Sequence, residues 1–194
     1  MIDLQVVDNP AAAAVALDPV KSRLLAALQT AGSAASLASH VGLSRQKVNY
    51  HLRALEAHGL VEPVEERRWG GLTERRMVAT AASYVVSPAA LGPVAADPAR
   101  STDRLSASYL IALSARIIRE VGDLWKRASR DRKRVATLSI DTVIRFRSPA
   151  DRAAFTADLA SAVTALADRY HDGKARGGRA HRLIVASYPA PNAE

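Results

Sequence analysis

The chain contains no cysteine, and this absence excludes several kinds of chemistry. Disulfide bonds, thiolate metal sites and thiol redox sensing all need a sulfur atom that no residue here provides. Long hydrophobic runs are also missing, because the longest, residues 11–17, is far shorter than the about 20 residues that span a bilayer. Asp3 and Asp8 precede that run, whereas a signal peptide begins with basic residues. We therefore expect a cytoplasmic protein that does not enter a membrane.

Recognisable catalytic motifs are absent from the sequence as well. There is no metal-ligand spacing, no G-x-S-x-G nucleophile elbow and no phosphate-binding loop. We therefore predict no catalytic residue, no cofactor and no metal site, and we do not expect an enzyme. Of the histidines, His51 is expected to make a hydrogen bond at the edge of a core. His58 is expected at a helix C-terminus, where a cation is favoured.

Positive charge is in excess, with a formal net charge of +8 and a pI near 10.3, which favours an anionic partner. The excess is uneven, because residues 1–95 hold nine Lys and Arg against eight Asp and Glu, whereas the remaining residues hold eighteen against eleven. A chain of 194 residues, 48% of them apolar, is long enough to bury a core in one domain or in two small ones. The net charge therefore does not indicate a binding site in the first half of the chain. Any such site has to be identified from the positions of individual arginines.

Residues 34–60 carry the clearest pattern, which is two short amphipathic helices joined by a glycine. Their apolar positions recur at helical spacings, first at Leu37, Ala38 and Val41 and then at Val48, Leu52 and Leu55. Gly42 can adopt the positive φ of a tight turn, Ser44 stands where the N-cap of the second helix is needed, and Gly59 can end that helix. The pattern predicts a helix-turn-helix.

The second of these helices has two chemically different sides. At 100° per residue, a polar stripe lies well away from the apolar side and consists of Arg45, Gln46, Asn49, Tyr50 and Arg53. Arginine can form paired hydrogen bonds with guanine, and asparagine and glutamine match adenine. The stripe therefore favours DNA reading, with a purely structural helical pair as the alternative.

The residues before this motif predict a third helix. Asp18 and Pro19 are an N-cap carboxylate and a proline at the first helical position, and the apolar face that follows comprises Val20, Leu24, Leu25 and Leu28. Three such helices would form a compact trihelical core. For residues 1–17 two interpretations remain open, a short alanine helix capped by Asn9 or a loose arm.

After Leu60 the pattern becomes extended, with two runs on either side of Gly70-Gly71. Such runs predict a β-hairpin, and a hairpin directly after a recognition helix is the wing of a winged helix-turn-helix. Four arginines flank its tip and are candidates for phosphate or minor-groove contacts: Arg67, Arg68, Arg75 and Arg76. The alternative is that they pair with neighbouring glutamates of the hairpin, Glu65, Glu66 and Glu74.

The run DPVKSRLLAAL…LASHVGLSRQKVNYHLRALEAHGLVEPVEERR resembles the ArsR-type family of winged helix-turn-helix transcriptional regulators, over about the first half of the chain. The resemblance implies a homodimer that binds double-stranded DNA, usually as a repressor released by an effector. By position it implies DNA-facing roles for Ser44, Gln46, Asn49, Tyr50 and Arg53, with Arg67 and Arg76 on the wing. Asn49 replaces the small hydroxyl residue common at that position, which leaves the base preference open.

The proline-rich residues 87–98 mark a linker, so we predict a DNA-binding domain over 1–95 and a dimerisation or effector domain over 96–194. A long helix from Asp103 to about Ser129 carries an apolar stripe suited to a helix–helix seam, and we assign it to a dimer interface: Leu110, Leu113, Ile117, Val121 and Leu124. The alternative is that this helix only covers its own domain.

The remaining residues predict a strand, a helix and a strand. Residues 135–147 alternate apolar and polar, a helix follows from Ser148, and residues 183–188 form a short apolar run. Two strands alone are marginal in water, so they must be completed across a dimer, by the long helix or by the winged domain. A cavity under them could hold a small effector near Tyr109, Trp125 and Phe146; otherwise the domain serves dimerisation alone.

The predicted fold class is thus α+β, with a winged helix-turn-helix domain, a long dimerisation helix and a small C-terminal strand-helix-strand domain. The predicted function is a dimeric, sequence-specific DNA-binding regulator, most often a repressor in the resembling family. The alternative is an architectural protein that coats DNA without sequence preference through its basic C-terminal half.

Overall fold

A computed structural model describes residues 1–69 and 72–191, with only the backbone for residues 67–69, 72 and 73. The chain divides into two compact units, Met1–Val135 and Ala136–Glu194. Both helices and strands are present, so the α+β class is confirmed.

The first unit contains five α-helices, each of which begins at a capped N-terminus: α1 Pro10–Leu17, α2 Pro19–Ala27, α3 Ala34–Val41, α4 Arg45–Ala57 and α5 Ala107–Arg130. Asp18 accepts hydrogen bonds from the amides of Val20 and Lys21 and so starts α2, as predicted. Those bonds, the first from the Lys21 amide, lower the pKa of Asp18 below its ordinary value. Two short 3₁₀ helices, Pro88–Val94 and Pro98–Arg100, occupy the predicted linker.

Five strands form two small sheets in this unit: β1 Ile2–Val7, β2 Gly32–Ser33, β3 Val61–Trp69, β4 Leu72–Ala79 and β5 Ala81–Val86. One sheet has the order β2-β4-β3 and is antiparallel, and in the other β1 runs parallel to β5. Because β3 and β4 pair up to Trp69 and Leu72, the predicted hairpin is confirmed. Its Gly70-Gly71 tip lies outside the described residues.

The core of the first unit lies where the three predicted helices meet the base of the hairpin. Its largest fully buried apolar side chains lie in or directly beside α2, α4 and the start of β3, namely Leu24, Leu28, Val48, Leu55, Leu60 and Val61. The apolar positions of the helical patterns therefore form one core, as the trihelical prediction requires.

The N-terminal residues are more ordered than either interpretation of the sequence allowed. Asn9 caps α1 by accepting from the amides of Ala11 and Ala12, and the residues before it form β1. The loose-arm alternative is therefore wrong. The strand was not foreseen because β1 exists only through its pairing with β5, whose residues lie 79 positions later in sequence.

Helix α5 belongs to the first compact unit, although the sequence placed it in a second domain beginning at residue 96. The Trp125 indole donates a hydrogen bond to the Leu4 carbonyl at 2.9 Å, and the Lys126 ammonium pairs with the Asp8 carboxylate. The hydrogen bond from Lys126 lowers the pKa of Asp8 below its ordinary value. These contacts extend the compact unit to Val135, while a functional division near residue 95 stays a prediction.

The second unit contains one helix, α6 Pro149–Tyr170, with Ser148 as its N-cap. The predicted strands at residues 135–147 and 183–188 are wrong for this chain by itself, because neither segment pairs with a strand in the part of the molecule that is described. Alternation of apolar and polar residues shows which face of a strand would be buried, but a strand also needs a hydrogen-bonded neighbour.

No helix among the described residues combines the length and the apolar character that crossing a lipid bilayer requires.

Candidate nucleic-acid interface

Helix α4 is held in place by its buried side and its caps. Val48, Leu52 and Leu55 are all buried, and the Ser44 hydroxyl accepts a hydrogen bond from the Lys47 amide at 3.3 Å. Gly42, with φ of 68°, makes the turn from α3 into Ser44. The predicted helix-turn-helix is therefore present, with its second helix rigidly packed on the core.

The opposite side of α4 is open to solvent. All six side chains that the sequence assigned to DNA on this helix are exposed, namely Ser44, Arg45, Gln46, Asn49, Tyr50 and Arg53. Tyr50 is a large aromatic residue, yet 70% of its surface is exposed, so it does not contribute to the core of this unit. Its ring meets the His51 ring edge to face at 5.5 Å.

A cleft of about 470 Å³ runs between α4, the start of α3 and strand β4. It brings together five of the residues that the sequence singled out, and its full lining is Ala34, Ala35, Arg45, Gln46, Asn49, Arg53, Glu74 and Arg75. Ser44 and Tyr50 lie outside this lining. The cleft therefore presents guanidinium and amide groups together, which are the donors and acceptors that base edges and phosphates bind.

Arg75 connects the wing to α4. Its guanidinium donates to both carboxylate oxygens of Glu56, at 2.7 and 3.0 Å, and its Nε donates to Glu66 at 3.0 Å. The hydrogen bonds from Arg75 lower the pKa of the Glu56 carboxyl, and the same pair raises the pKa of Arg75. The alternative of glutamate pairing therefore describes Arg75 in this structure, with Glu56 as an additional partner.

Arg76 lies on the adjacent position of β4 and is also engaged. It donates to Glu65 at 3.1 Å and to the Ala31 carbonyl at 2.9 Å, so it ties the wing to the segment before α3. The side chains of the other two wing candidates, Arg67 and Arg68, lie outside the described residues. Their backbones pair with Glu74 and Thr73 in the hairpin.

The histidines of this half do not assemble a metal site. Within the described ranges, no three His, Asp or Glu side chains lie close enough together to hold a metal ion. His58 caps the C-terminus of α4 as expected. The hydrogen bond expected of His51 is absent, because its buried Nδ1 has no partner among the described residues. Helical periodicity predicted that His51 lies at the edge of the core, but it could not predict which groups surround the imidazole.

Helix α5 has two distinct apolar faces. The small residues Ala112, Ala115 and Gly122 are buried, and a Cβ at Gly122 would stand only 3.0 Å from the Val6 side chain. The predicted dimer stripe lies on another face and is not buried, with Leu110 and Leu113 partly exposed and Ile117, Val121 and Leu124 at 37–45%. Helix α5 therefore packs on its own unit through its small residues, and the predicted dimer stripe stays accessible to solvent.

Two of the three residues proposed to surround an effector make other contacts in the structure. Trp125 is hydrogen-bonded to the first strand, and the Phe146 ring packs on Phe155 of α6 with centroids 5.3 Å apart. A second cleft of about 530 Å³ lies between residues 94 and 112, and Tyr109 is not part of its lining. An effector site built from Tyr109, Trp125 and Phe146 therefore stays a prediction.

Two residues of this interface escaped the sequence-based prediction. The sequence analysis gave Glu56 no role, and it considered Glu74 only as a partner for arginine, although Glu74 lines the cleft. The spacing of Glu56 from Arg75 is nineteen residues, so only a correct placement of the wing on the helix would reveal the pair.

An exposed polar helix face beside a β-hairpin, on a trihelical core, defines a winged helix-turn-helix protein of the kind that binds DNA in transcriptional regulation. Residues 16–64 match the model of a family of helix-turn-helix domains. The chain thus carries a helix-turn-helix domain, and this match confirms the motif on which the ArsR-type resemblance was based.

Several solved structures match the chain, and one of them is a transcriptional regulator. It is an ArsR-like transcriptional regulator from Rhodococcus sp. RHA1, with 26% sequence identity and a TM-score of 0.34. The similar region covers 64% of this chain and 88% of that one. No curated protein matches the chain significantly.

Proposed function

We propose that this protein is a homodimeric, sequence-specific DNA-binding transcriptional regulator that acts as a repressor in the cytoplasm. The observation that carries the proposal is the exposed stripe of α4, where Gln46, Asn49 and Arg53 line one open cleft beside the wing. Polar side chains on a rigid helix are held at fixed spacing, which sequence reading requires.

Each residue of the stripe has a role set by its chemistry. Arg45 and Arg53 are the candidates for paired hydrogen bonds to guanine, and Gln46 and Asn49 are the candidates for adenine. Ser44 and Tyr50, at the edge of the stripe, suit phosphate contacts. Arg75 and Arg76 act mainly by holding the wing, since both already bind carboxylates. Arg67 and Arg68 remain proposed phosphate contacts.

A homodimer is supported by the uncovered stripe of α5. This stripe has five apolar side chains at helical spacing, and their own unit does not bury them. A second copy of the same helix would cover the stripe and remove its apolar surface from water. A dimer would also supply two recognition helices, which two half-sites about 34 Å apart require.

Repression and release by a small effector follow from the ArsR-type resemblance. Repression is tested with a reporter gene placed behind the bound DNA sequence, whose expression should fall when the protein is present. The effector is tested by screening compounds for a thermal shift of the protein together with release of DNA. A screen without hits would favour a C-terminal region that serves dimerisation alone.

The decisive experiment is selection of bound duplexes from a random DNA pool, followed by footprinting. Sequence-specific binding predicts a recovered palindromic motif and a discrete protected region. Uniform protection and equal affinity for a scrambled duplex would instead support the alternative function, an architectural protein that coats DNA. In both cases affinity should fall with salt, so the salt dependence alone does not separate them.

A further inference from the structure

The second unit has no interior by itself. None of the residues of α6 is buried, and the apolar residues nearest to a core, including Phe146, Phe155 and Ile184, are only half-buried. The ring contact between Phe146 and Phe155 is the one described aromatic contact in this unit. So little buried apolar surface cannot offset the conformational entropy of ordering almost sixty residues.

The exposed apolar surface is concentrated on two segments that are neither helix nor strand. In residues 136–146 the side chains of Leu138, Ile140 and Val143 are 83%, 84% and 80% exposed. Residues 183–188 expose Leu183, Val185 and Tyr188. Neither segment pairs with a strand among the described residues, so both leave main-chain donors and acceptors free to pair with an added strand.

We propose that residues 140–146 pair with the same residues of a second copy of this chain, antiparallel and centred on Val143. The charges of the segment select this register. It contains one acidic residue, Asp141, and one basic residue inside its ends, Arg145, which lie symmetrically about Val143. In this register Asp141 of each copy stands opposite Arg145 of the other, which is a favourable cross-strand pair.

The same register keeps Ile140, Ile144 and Phe146 on one face, while Val143 shares the other face with Asp141 and Arg145. Because residues two apart share a face, Ile140 lies opposite Phe146 of the other copy, on the side that carries the Phe155 contact. A shift by one residue would end the pairing of Asp141 with Arg145 and bring unlike faces together. The pairing would thus extend a sheet across the two copies and give α6 an apolar surface to cover.

The exposed area is large enough for a second copy. Eight apolar side chains of the unit are at least half exposed, namely Leu138, Ile140, Val143, Leu166, Tyr170, Leu183, Val185 and Tyr188. At roughly 100 Å² each, their area approaches the about 800 Å² per partner of a standard interface. The partner offers the same unpaired edge, so a two-fold arrangement satisfies both copies at once.

Because the chain has no cysteine, the register can be tested with one introduced thiol in the full-length protein. Val143→Cys lies on the proposed two-fold axis, so the two thiols would be within disulfide distance. The matched control is Ser139→Cys, on the same face and also exposed, whose copies would be separated by eight residues, about 26 Å. Mild oxidation should link most of the Val143→Cys protein into dimers and leave Ser139→Cys largely unlinked.

Charge exchange tests the same register independently. Asp141→Arg should reduce the yield of the Val143→Cys disulfide several-fold, and Arg145→Asp added to it should restore the yield. Equal linking at Val143 and Ser139, absence of linking at Val143, or failure of the exchanged pair to restore it would overturn the proposal. Because the readout is the disulfide, it is separate from DNA binding by α4.

Discussion

Glu56 on the recognition helix and Arg75 on the wing are joined by two parallel hydrogen bonds of 2.7 and 3.0 Å. Arg75 also contacts Glu66 across the hairpin, so one guanidinium fixes the base of the wing relative to α4. The paired geometry constrains orientation as well as distance, because both groups are planar. Glu56 therefore helps to set the position of the wing relative to α4.

Glu56→Gln should loosen the wing and lower the free energy of unfolding by about 1 kcal/mol at neutral pH, a value kept small by the partial exposure of both partners. Binding to DNA should weaken in parallel, although Glu56 itself would repel phosphate. Chemical denaturation and titration with a bound duplex measure both effects. Increased affinity of Glu56→Gln for DNA would show instead that Arg75 contacts DNA directly once it is no longer paired with Glu56.

The Glu56–Arg75 pair should also depend on pH. Because the pKa of Glu56 is lowered in the folded protein, its stabilisation is fully present above the ordinary value of 4.5 and is lost as the pH falls through the folded value. The stability difference between the wild type and Glu56→Gln should therefore shrink as the pH falls below 4.5. A difference that stays constant over this range would contradict the assigned role of the carboxylate.

Asn49→Ala should weaken binding to the preferred operator by about 1–3 kcal/mol and relax discrimination at one base pair, if its amide reads an adenine. The measurement is titration of single-base operator variants with both proteins. Lys47→Ala is a matched control, since Lys47 is an exposed residue of the same helix that lies outside the cleft lining. It should lower affinity for all sequences alike or leave it unchanged.

Val121→Asp should weaken the dimer and lower the average molar mass in solution, because it places a charge in the middle of the uncovered stripe of α5. Sedimentation equilibrium measures the change, and operator affinity should fall with it. Asp123→Ala, two residues away and exposed, is the control that should leave the dimer intact. An unchanged molar mass of Val121→Asp would place the dimer interface elsewhere.

Gly42→Ala should lower the free energy of unfolding by about 1–2 kcal/mol, because φ is 68° at this turn and a Cβ is disfavoured there even though space is free. Thermal or chemical denaturation measures the loss. Gly173→Ala serves as the control, since its φ is not positive and its nearest neighbour would be an ordinary contact. Similar losses in both would argue against a conformational cause.

The helix-turn-helix and the two sides of α4 could be predicted from local sequence alone. Caps and turns act locally, so Asp18, Ser44 and Gly42 could be interpreted without knowledge of the rest of the chain. The polar stripe of α4 followed from helical geometry alone, and its side chains are exposed as that geometry requires.

Tertiary structure decided the features that depend on partners distant in sequence. Strand β1 exists through β5, Arg75 is bound by a glutamate nineteen residues away, and α5 turns its small residues toward β1. The same reason explains the error at residues 135–147, where alternation indicated a strand but no neighbour within the described chain supplies its hydrogen bonds. A periodic sequence fixes the face that a segment can bury, whereas the surface it is buried against is set by the fold.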